Sequence, residues 1–292
     1  MKEKYKGIIY IIIAALFFAL MSMFVRLSGD LPVFQKSFFR NIVALLFAGT
    51  ILFRSRTPIH LNKGDWKGLL LRSIFGTIGV LFNFYAVDHL MLADATILNK
   101  LSPFFAVLMG ALILKEKLKP FQIGTVIIAF LGALLVIKPG SGIVATPAII
   151  GLLGGLAAGT AYTFVRWLGK RQVPGPFIVF FFSLFSCVVI GPIMMLDYVP
   201  MTTHQLMMLL LAGLSASIAQ FAVTAAYCHA PAKEISIFDY SQIIFSAVIG
   251  FFAFHQIPDT LSWLGYTLII ATAIINFIYN NHLSQKEKEV LA

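Results

Sequence analysis

Phe24-Val25-Arg26 recurs as Phe164-Val165-Arg166, at an offset of 140 residues. The same offset relates other positions: Asp94 and Glu234, Ile97 and Ile237, Asn99 and Asp239, Phe105 and Phe245, Gly110 and Gly250, and His89 and His229. This pattern indicates that the chain contains two copies of one structural unit, an internal repeat. If each copy crosses a membrane an odd number of times, the second copy enters from the opposite side, which is the inverted-repeat design of secondary transporters.

The composition is that of an integral membrane protein. Hydrophobic residues fill 59% of the 292 positions and charged residues only 12%, which leaves too little polar surface to cover a water-soluble globule. The net charge of +10 comes from short basic clusters between apolar runs, a pattern that orients membrane proteins. We therefore expect a lipid bilayer as the environment and no nucleic-acid partner.

About ten apolar runs are long enough to cross a bilayer, which takes roughly 20 residues each. In chain order, as spans 1 to 10, they cover residues 7–27, 33–53, 68–87, 92–114, 121–138, 148–166, 177–196, 206–228, 233–254 and 260–281. Five spans fall in each copy. We predict an all-α membrane fold of ten transmembrane helices, arranged as two inverted five-helix repeats over residues 1–142 and 143–292.

The loop charges predict the orientation of the spans. With the amino terminus inside, the basic clusters all fall in cytoplasmic segments, whereas the opposite loops hold only Lys138. Lysine and arginine accumulate on the cytoplasmic side of membrane proteins. We therefore predict a multi-pass protein of the cytoplasmic (inner) membrane with both termini in the cytoplasm.

Two ionisable residues lie deep within predicted spans. Lys100 is about eight residues into span 4, roughly 12 Å from the outer surface at 1.5 Å per residue, and Asp239 lies at a similar depth from the inner surface in span 9. Charges at this depth are costly unless they meet a partner or a wet cavity, so they are functional candidates. Two interpretations stay open: a structural ion pair bridged by the long lysine side chain, or charges that bind the carboxylate or amine of a substrate.

Other polar side chains lie in the same and neighbouring spans. We predict that they line a central cavity with phenylalanine-rich walls, which suits a small organic molecule with polar ends. The predicted substrate-binding set is Asn83, Tyr85, Asn99, Lys100, Ser102, Tyr162, Gln220, Tyr227, Asp239, Tyr240 and Gln242. Each neutral member alone could equally be an interhelical hydrogen-bonding group, so the prediction rests on the set.

Three further charged residues are predicted to have gating or structural roles: Arg26, Arg40 and Asp94. Arg26 ends span 1, where we expect it to anchor the helix or to pair with an acid such as Asp30. Arg40 lies deeper, about seven residues into span 2, and needs a partner or water. Its candidate partners are Asp30, Asp88 and Asp94, and in that outer region it could gate access.

Small residues predict which helices pack most closely. Gly151, Gly155 and Gly159 form a ridge at four-residue spacing in span 6, and Ala15 and Ala19 occupy the matching places in span 1. Such ridges let another helix approach. Spans 1 and 6 are therefore predicted to be inner, closely packed helices.

The sequence carries no nucleotide-binding loop of the form GxxxxGK[ST], no HExxH zinc motif, no GxSxG nucleophile elbow and no calcium loop, so we predict no catalytic residue, metal or cofactor. Its two cysteines have neither disulfide nor metal-site spacing. His89 and His229, at opposite membrane boundaries, leave proton coupling open because histidine titrates near neutral pH.

Several stretches resemble the EamA-type branch of the drug/metabolite transporter superfamily. They are Phe38-Phe39-Arg40-Asn41, Leu98 through Ala106 with Pro103 inside it, Gly110 through Glu116, and Gly124 through Gly132. Together with the ten spans, the resemblance covers essentially the whole chain. It implies export or exchange of small metabolites, often amino acids, through a central cavity surrounded by helices 1, 3, 4, 6, 8 and 9.

We therefore predict a secondary transporter that moves a small organic metabolite, an amino-acid-like or other small zwitterion, by alternating access. Export or exchange is the expected direction, with a proton or counter-substrate as the candidate coupling partner, and the oligomeric state is left open. A membrane-embedded enzyme stays an alternative because internal Lys, Asp and His side chains could supply acid and base groups. A channel is a third interpretation, but no ring of like charge supports it.

Overall fold

The computed structural model describes residues 2–55, 61–115, 120–138, 145–229 and 236–291, and within these ranges it contains helices and no strand. The helices of the first half are α1 (Lys2–Leu27), α2 (Val33–Ser55), α3 (Asp65–His89), α4 (Leu92–Asn99), α5 (Ser102–Leu114) and α6 (Pro120–Ile137). Those of the second half are α7 (Ala145–Lys170), α8 (Gly175–Leu196), α9 (Thr203–His229), a 3₁₀ helix (Ser236–Tyr240), α10 (Ser241–Phe254) and α11 (Thr260–Leu291).

Nine of the described helical segments are long and apolar enough to cross a membrane, and α4 with α5 forms one of them. These nine coincide with predicted spans. In the place of span 9 the apolar segment, Phe238–Phe254, is shorter. At ideal rises of about 2.0 and 1.5 Å per residue, the 3₁₀ helix and α10 together would still reach about 31 Å, which matches the roughly 30 Å hydrocarbon core of a bilayer.

Spans 4 and 9 each lose regular α-helical geometry within the span. α4 ends at Asn99 and α5 begins at Ser102, whereas in span 9 the 3₁₀ helix ends at Tyr240 and passes directly into α10 at Ser241. Pro103 lies in the first turn of α5, where it lacks an N–H and disfavours helical geometry in the residue before it. The breaks at Lys100 and Tyr240 are separated by the repeat offset of 140 residues.

The two broken helices also end alike. Lys115 after α5 and His255 after α10 adopt the left-handed conformation, with φ of 55° and 52°. The main-chain N–H of each donates to a carbonyl in the last turn, that of Gly110 or of Gly250. A left-handed residue is a common helix stop, usually glycine. Two unlike, non-glycine residues with the same conformation therefore reflect the repeated backbone.

Contacts between the two halves occur in matching pairs. α1 packs against α9 as α3 packs against α7, and α2 packs against α9 as α3 packs against α8. α2 also packs against α8, and α6 against α11, so these helices meet their own counterparts. Such pairing is expected when two similar units are related by a two-fold axis.

The glycine ridge of α7 packs against the break between α4 and α5. A Cβ on Gly155 would lie 2.6 Å from the carbonyl oxygen of Leu98, and a Cβ on Gly159 would lie 2.5 Å from that of Ser102. Only residues without side chains allow the two main chains to approach so closely. The predicted role of the ridge in close packing is confirmed, and the matching alanines of α1 are fully buried.

Candidate functional site

An ion pair joins the two helix breaks. Lys100 Nζ lies 2.5 Å from Oδ2 of Asp239, and the lysine side chain is 9% exposed while the aspartate is 24% exposed. The long lysine side chain therefore bridges the gap between the two predicted depths. Because each charge offsets the desolvation of the other, removing either one would leave an uncompensated charge inside the bundle.

A cavity between α2, α3, α8 and α9 holds two further positive charges. Its lining residues are Arg40, Ala44, Arg72, Val179, Phe182, Ser183, Ala216, Ser217, Gln220 and Phe221. Arg40 is only 7% exposed and Arg72 only 9%. Of the predicted substrate-binding set, Gln220 thus lies beside both arginines.

Neither arginine has all of its donors satisfied by the described residues. Arg40 donates from Nη1 to Oδ1 of Asn41 at 2.6 Å, but its Nε has no hydrogen-bond partner there. Arg72 leaves both Nε and Nη1 without one. Its guanidinium carbon lies 3.8 Å from the ring centroid of Phe182, and such a cation–π contact offsets only part of the cost of burying a charge.

Tyr162 of α7 connects the arginine cavity with the ion pair. It lies within electrostatic range of Asp239, Arg72 and Arg40, which belong to three other elements. Its side chain is nevertheless 54% exposed. The ion pair and the Arg40–Arg72 cavity therefore both lie near Tyr162, and we call the space around this exposed side chain the internal region.

The predicted acidic partners of Arg40 are wrong. Asp88 pairs instead with the fully buried Lys36, whose Nζ lies 2.7 Å from both carboxylate oxygens. Asp94 accepts a hydrogen bond from a tyrosine of α11, and Asp30 is exposed. Lys36 precedes Arg40 by about one turn on the same face of α2. It therefore reaches the end of α3, while Arg40 faces the cavity.

Arg26 anchors the connection between α3 and α4. Its Nη1 donates to the carbonyl oxygen of Leu90 at 2.6 Å, and its guanidinium carbon lies 5.0 Å from the ring centroid of Phe254. These two contacts tie the end of α1 to the connection between α3 and α4 and to the end of α10, and they support the predicted anchoring role.

Asp94 belongs to a polar network at the start of α11. It accepts from the Tyr266 hydroxyl at 2.7 Å. Close by, Lys138 Nζ lies 2.7 Å from Asp259 and 3.1 Å from the Ser262 hydroxyl. Hydrogen bonds from Lys138 and Ser262 lower the pKa of Asp259 below its ordinary value. This geometry supports the structural alternative for Asp94.

The remaining predicted site residues lie partly at the two helix breaks and partly elsewhere. Tyr85 stacks on His89 with ring centroids 4.1 Å apart, one turn from the end of α3. Tyr240 donates from its hydroxyl to the carbonyl oxygen of Lys100 at 3.3 Å. Asn83 and Asn99 are half-buried, Ser102 and Gln242 are buried, and the side chains of Tyr227 and His229 lie outside the described residues.

Sequence reasoning missed Arg72 and Lys36. Both are ionisable residues a few positions inside predicted spans, and the rule that singled out Lys100 applies equally to them. The signal was present in the sequence. Because both lie near the ends of predicted spans, they resemble the charged residues that commonly lie at a membrane surface.

Known proteins resemble this chain over most of its length. A model of the EamA-like transporter family matches residues 5–138 and 145–278. The pseudopaline exporter CntI of Pseudomonas aeruginosa is 31% identical, over 92% of this chain and 94% of its own. A riboflavin transporter of Rhizobium johnstonii is 24% identical, over 97% and 93% of the two chains.

More distant similarity extends to other organisms and to a solved structure. Human solute carrier family 35 member G1 is 23% identical, over 92% of this chain and 78% of its own. A crystal structure of a protein with 17% sequence identity aligns over 95% of this chain and 98% of that one, with a TM-score of 0.64. At that identity the structural likeness concerns the fold alone.

Proposed function

The chain belongs to the EamA-like transporter family, whose model matches both halves, and we propose that it is a secondary transporter for a small organic zwitterion. Membership makes it a membrane transporter rather than an enzyme. The interpretation as a membrane-embedded enzyme is therefore set aside.

The observation that carries the proposal is the junction of two discontinuous helices. Their breaks, at Lys100 and Tyr240, occupy corresponding positions in the two halves and are held together by the ion pair of Lys100 with Asp239. In transporters built from repeats, discontinuous helices at corresponding positions supply the binding site. The substrate site is therefore assigned to this junction and to the internal region bordered by Tyr162.

The ion pair suggests how substrate binding and conformational change are linked. A zwitterion offers a carboxylate to Lys100 and an ammonium group to Asp239. When Lys100 and Asp239 separate, each of them can therefore pair with one end of the zwitterion. A ligand shifts a conformational equilibrium only if it binds one state more tightly than the other. Here the state with the ion pair opened would bind the zwitterion more tightly.

We place the protein in the cytoplasmic membrane as ten crossings in two inverted repeats, residues 1–142 and 143–292, with both termini inside. The one-sided loop lysines and arginines support this orientation. The paired contacts between the halves supply the two units that would rock around the junction in alternating access. Export or exchange is the proposed direction, in keeping with an exporter among the relatives.

Counterflow in proteoliposomes tests the proposal, with each of the common L-amino acids as labelled probe. We expect saturable uptake of at least one probe above protein-free liposomes, and its loss in Lys100→Ala and Asp239→Ala. Lys63→Ala and Asp197→Ala, which remove exposed charges, should keep wild-type rates. Full rates in both site variants would refute the charged site, non-saturable uptake would favour a channel, and no uptake of any probe would refute the amino-acid class.

A further inference from the structure

The Arg40–Arg72 cavity has a charge that the protein itself does not balance. Both guanidinium groups are more than nine-tenths buried, and among the described residues no carboxylate pairs with either of them. Burying an ion without a counter-charge is unfavourable even after the surrounding protein has relaxed. Two unbalanced cations in one cavity therefore point to an anion that enters from outside the protein.

We propose that this cavity is an anion subsite, which binds a carboxylate group of the transported molecule. The proposal rests on the transport function proposed above and deepens it. Arg40 Nε, Arg72 Nε and Arg72 Nη1 are the donors left without a partner. A carboxylate has two oxygens that accept about four hydrogen bonds and fit the planar fork of arginine.

The Arg72 side chain is held in position for such a ligand. Phe182 lies against its guanidinium, and Gly76, one turn further along α3, leaves the space it occupies. A Cβ on Gly76 would collide with both Arg72 Nη1 and the Phe182 ring. Arg40 is fixed separately by its bond to Asn41. The donors are thus oriented before any ligand arrives.

The location favours a soluble molecule over a lipid headgroup as the source of the anion. Arg40 is seven residues from the start of α2, and Arg72 is seven residues from the start of α3. Each is therefore about 10 Å along its helix from that end. α2 and α3 are consecutive helices that run in opposite directions, so the subsite is distant from both helix ends at which headgroups lie.

Together with the ion pair, the subsite defines the substrate class more narrowly. The cavity contributes two cations, Arg40 and Arg72, and the ion pair contributes a third, Lys100, and one described anion, Asp239. A molecule with one ammonium and two carboxylates complements them: its ammonium meets Asp239, one carboxylate meets Lys100 and the other meets the arginines. The predicted substrate is therefore an acidic, amino-acid-like zwitterion.

Thermal unfolding of the purified full-length protein in a neutral detergent tests the subsite directly. The probes are L-glutamate, succinate, L-glutamine, inorganic phosphate and phosphatidylglycerol, at constant ionic strength set with chloride. L-Glutamate and succinate should raise the melting temperature, since a ligand that binds only the folded state stabilises it. L-Glutamine should do so far less.

Arg72→Gln should raise the half-saturating concentration of L-glutamate on the order of 10- to 100-fold, which corresponds to the loss of one charge-assisted hydrogen bond. Arg54→Gln, which removes an exposed charge from α2, should leave it unchanged. Without ligand, Arg72→Gln should melt at or above the wild-type temperature, because it removes an unbalanced buried charge. If that variant folds poorly, Gly76→Ala displaces the guanidinium and keeps its charge, and we expect the same loss of affinity.

Three results would overturn the subsite: equal stabilisation by L-glutamate and L-glutamine, stabilisation by phosphate or phosphatidylglycerol alone, or an unchanged L-glutamate affinity in both the Arg72→Gln and Gly76→Ala variants. The counterflow assay separates this failure from failure of the transport proposal. Amino-acid counterflow that ignores Arg72 would refute the subsite alone. Arg72-dependent binding of L-glutamate without counterflow of any amino acid would refute the proposed transport and leave the subsite standing.

Discussion

The Tyr240 hydroxyl donates a hydrogen bond to the main-chain carbonyl of Lys100, the residue that precedes it by 140 positions. This carbonyl belongs to the break between α4 and α5, where the regular helical pattern stops. The neighbouring Asp239 holds the Lys100 side chain. Residues at the break in the second half therefore bind both the main chain and the side chain of Lys100, at the break in the first half.

Tyr240→Phe removes this hydrogen bond and keeps the aromatic ring. Because the carbonyl of Lys100 would lose a partner in a buried place, we expect a loss of about 0.6–2 kcal/mol of stability. Thermal unfolding in detergent would measure it. Tyr198→Phe, at a tyrosine that is 49% exposed, is the matched control and should be neutral, and equal melting temperatures for both variants would show that the bond contributes nothing.

Gly155→Ala should destabilise the packing of α7 against the broken helix. The new methyl group would lie 2.6 Å from the carbonyl oxygen of Leu98, and a main-chain atom cannot move aside as a flexible side chain can. Overpacking of this kind costs typically 1–3 kcal/mol.

Gly169→Ala on the same helix is the control for that substitution. Nothing lies within 4 Å of a Cβ there, so alanine's better helix propensity should leave stability unchanged or slightly raised. We expect the Gly155→Ala variant to melt clearly below the Gly169→Ala variant. The reverse order would contradict the close approach of the two main chains.

Asp88→Asn should be far more damaging than a similar change at the surface. It would leave Lys36, which is 1% exposed, without its counter-charge, and breaking a buried pair costs about 3–5 kcal/mol. Asp259→Asn breaks the pair with Lys138, in which the aspartate is 53% exposed, and should cost less than about 1 kcal/mol.

The double variant Lys36→Met with Asp88→Asn shows how much of that loss comes from the unpaired lysine charge and how much from other contacts of the Asp88 carboxylate. Removing the buried lysine charge as well should recover much of the stability lost in Asp88→Asn alone, as measured by the melting temperature. No recovery would mean that the Asp88 carboxylate matters for another reason, such as its electrostatic contact with Arg26.

The sequence predicted the large-scale features because they depend on residue type and spacing. Apolar runs gave the spans, and the 140-residue echo set Asn99-Lys100 against Asp239-Tyr240, where the structure shows the joined breaks. The glycine spacing of α7 correctly predicted close packing. Each of these signals depends only on the type and spacing of residues along the chain.

The side-chain partners were less predictable because they depend on how helices are rotated about their axes. Arg40 was matched with acids at a similar depth, yet Lys36, one turn nearer the helix end, takes Asp88. Hydropathy does not distinguish a 3₁₀ helix from an α-helix, so the 3₁₀ helix at residues 236–240 was not predicted. Arg72 acquires its significance only because α2, α8 and α9 enclose it with Arg40.

Exchanging the two charges at the junction distinguishes a structural ion pair from a substrate site. Lys100→Asp alone would place two acids together and Asp239→Lys alone two bases, and each should lower stability and abolish counterflow. The double variant restores two opposite charges at the junction, with their positions exchanged. Its melting temperature should therefore recover toward that of the wild type.

Transport by the double variant then decides between the two roles. If Lys100 and Asp239 serve only as a structural pair, the exchanged pair is equivalent and counterflow should return with stability. If they bind the two ends of a zwitterion, the exchanged charges present the wrong sign at each end of a site whose arginines have not moved. We therefore expect stability to recover while counterflow stays at least about tenfold below wild type, the equivalent of roughly 1.4 kcal/mol, and recovery of both would overturn the assignment of these residues to the substrate site.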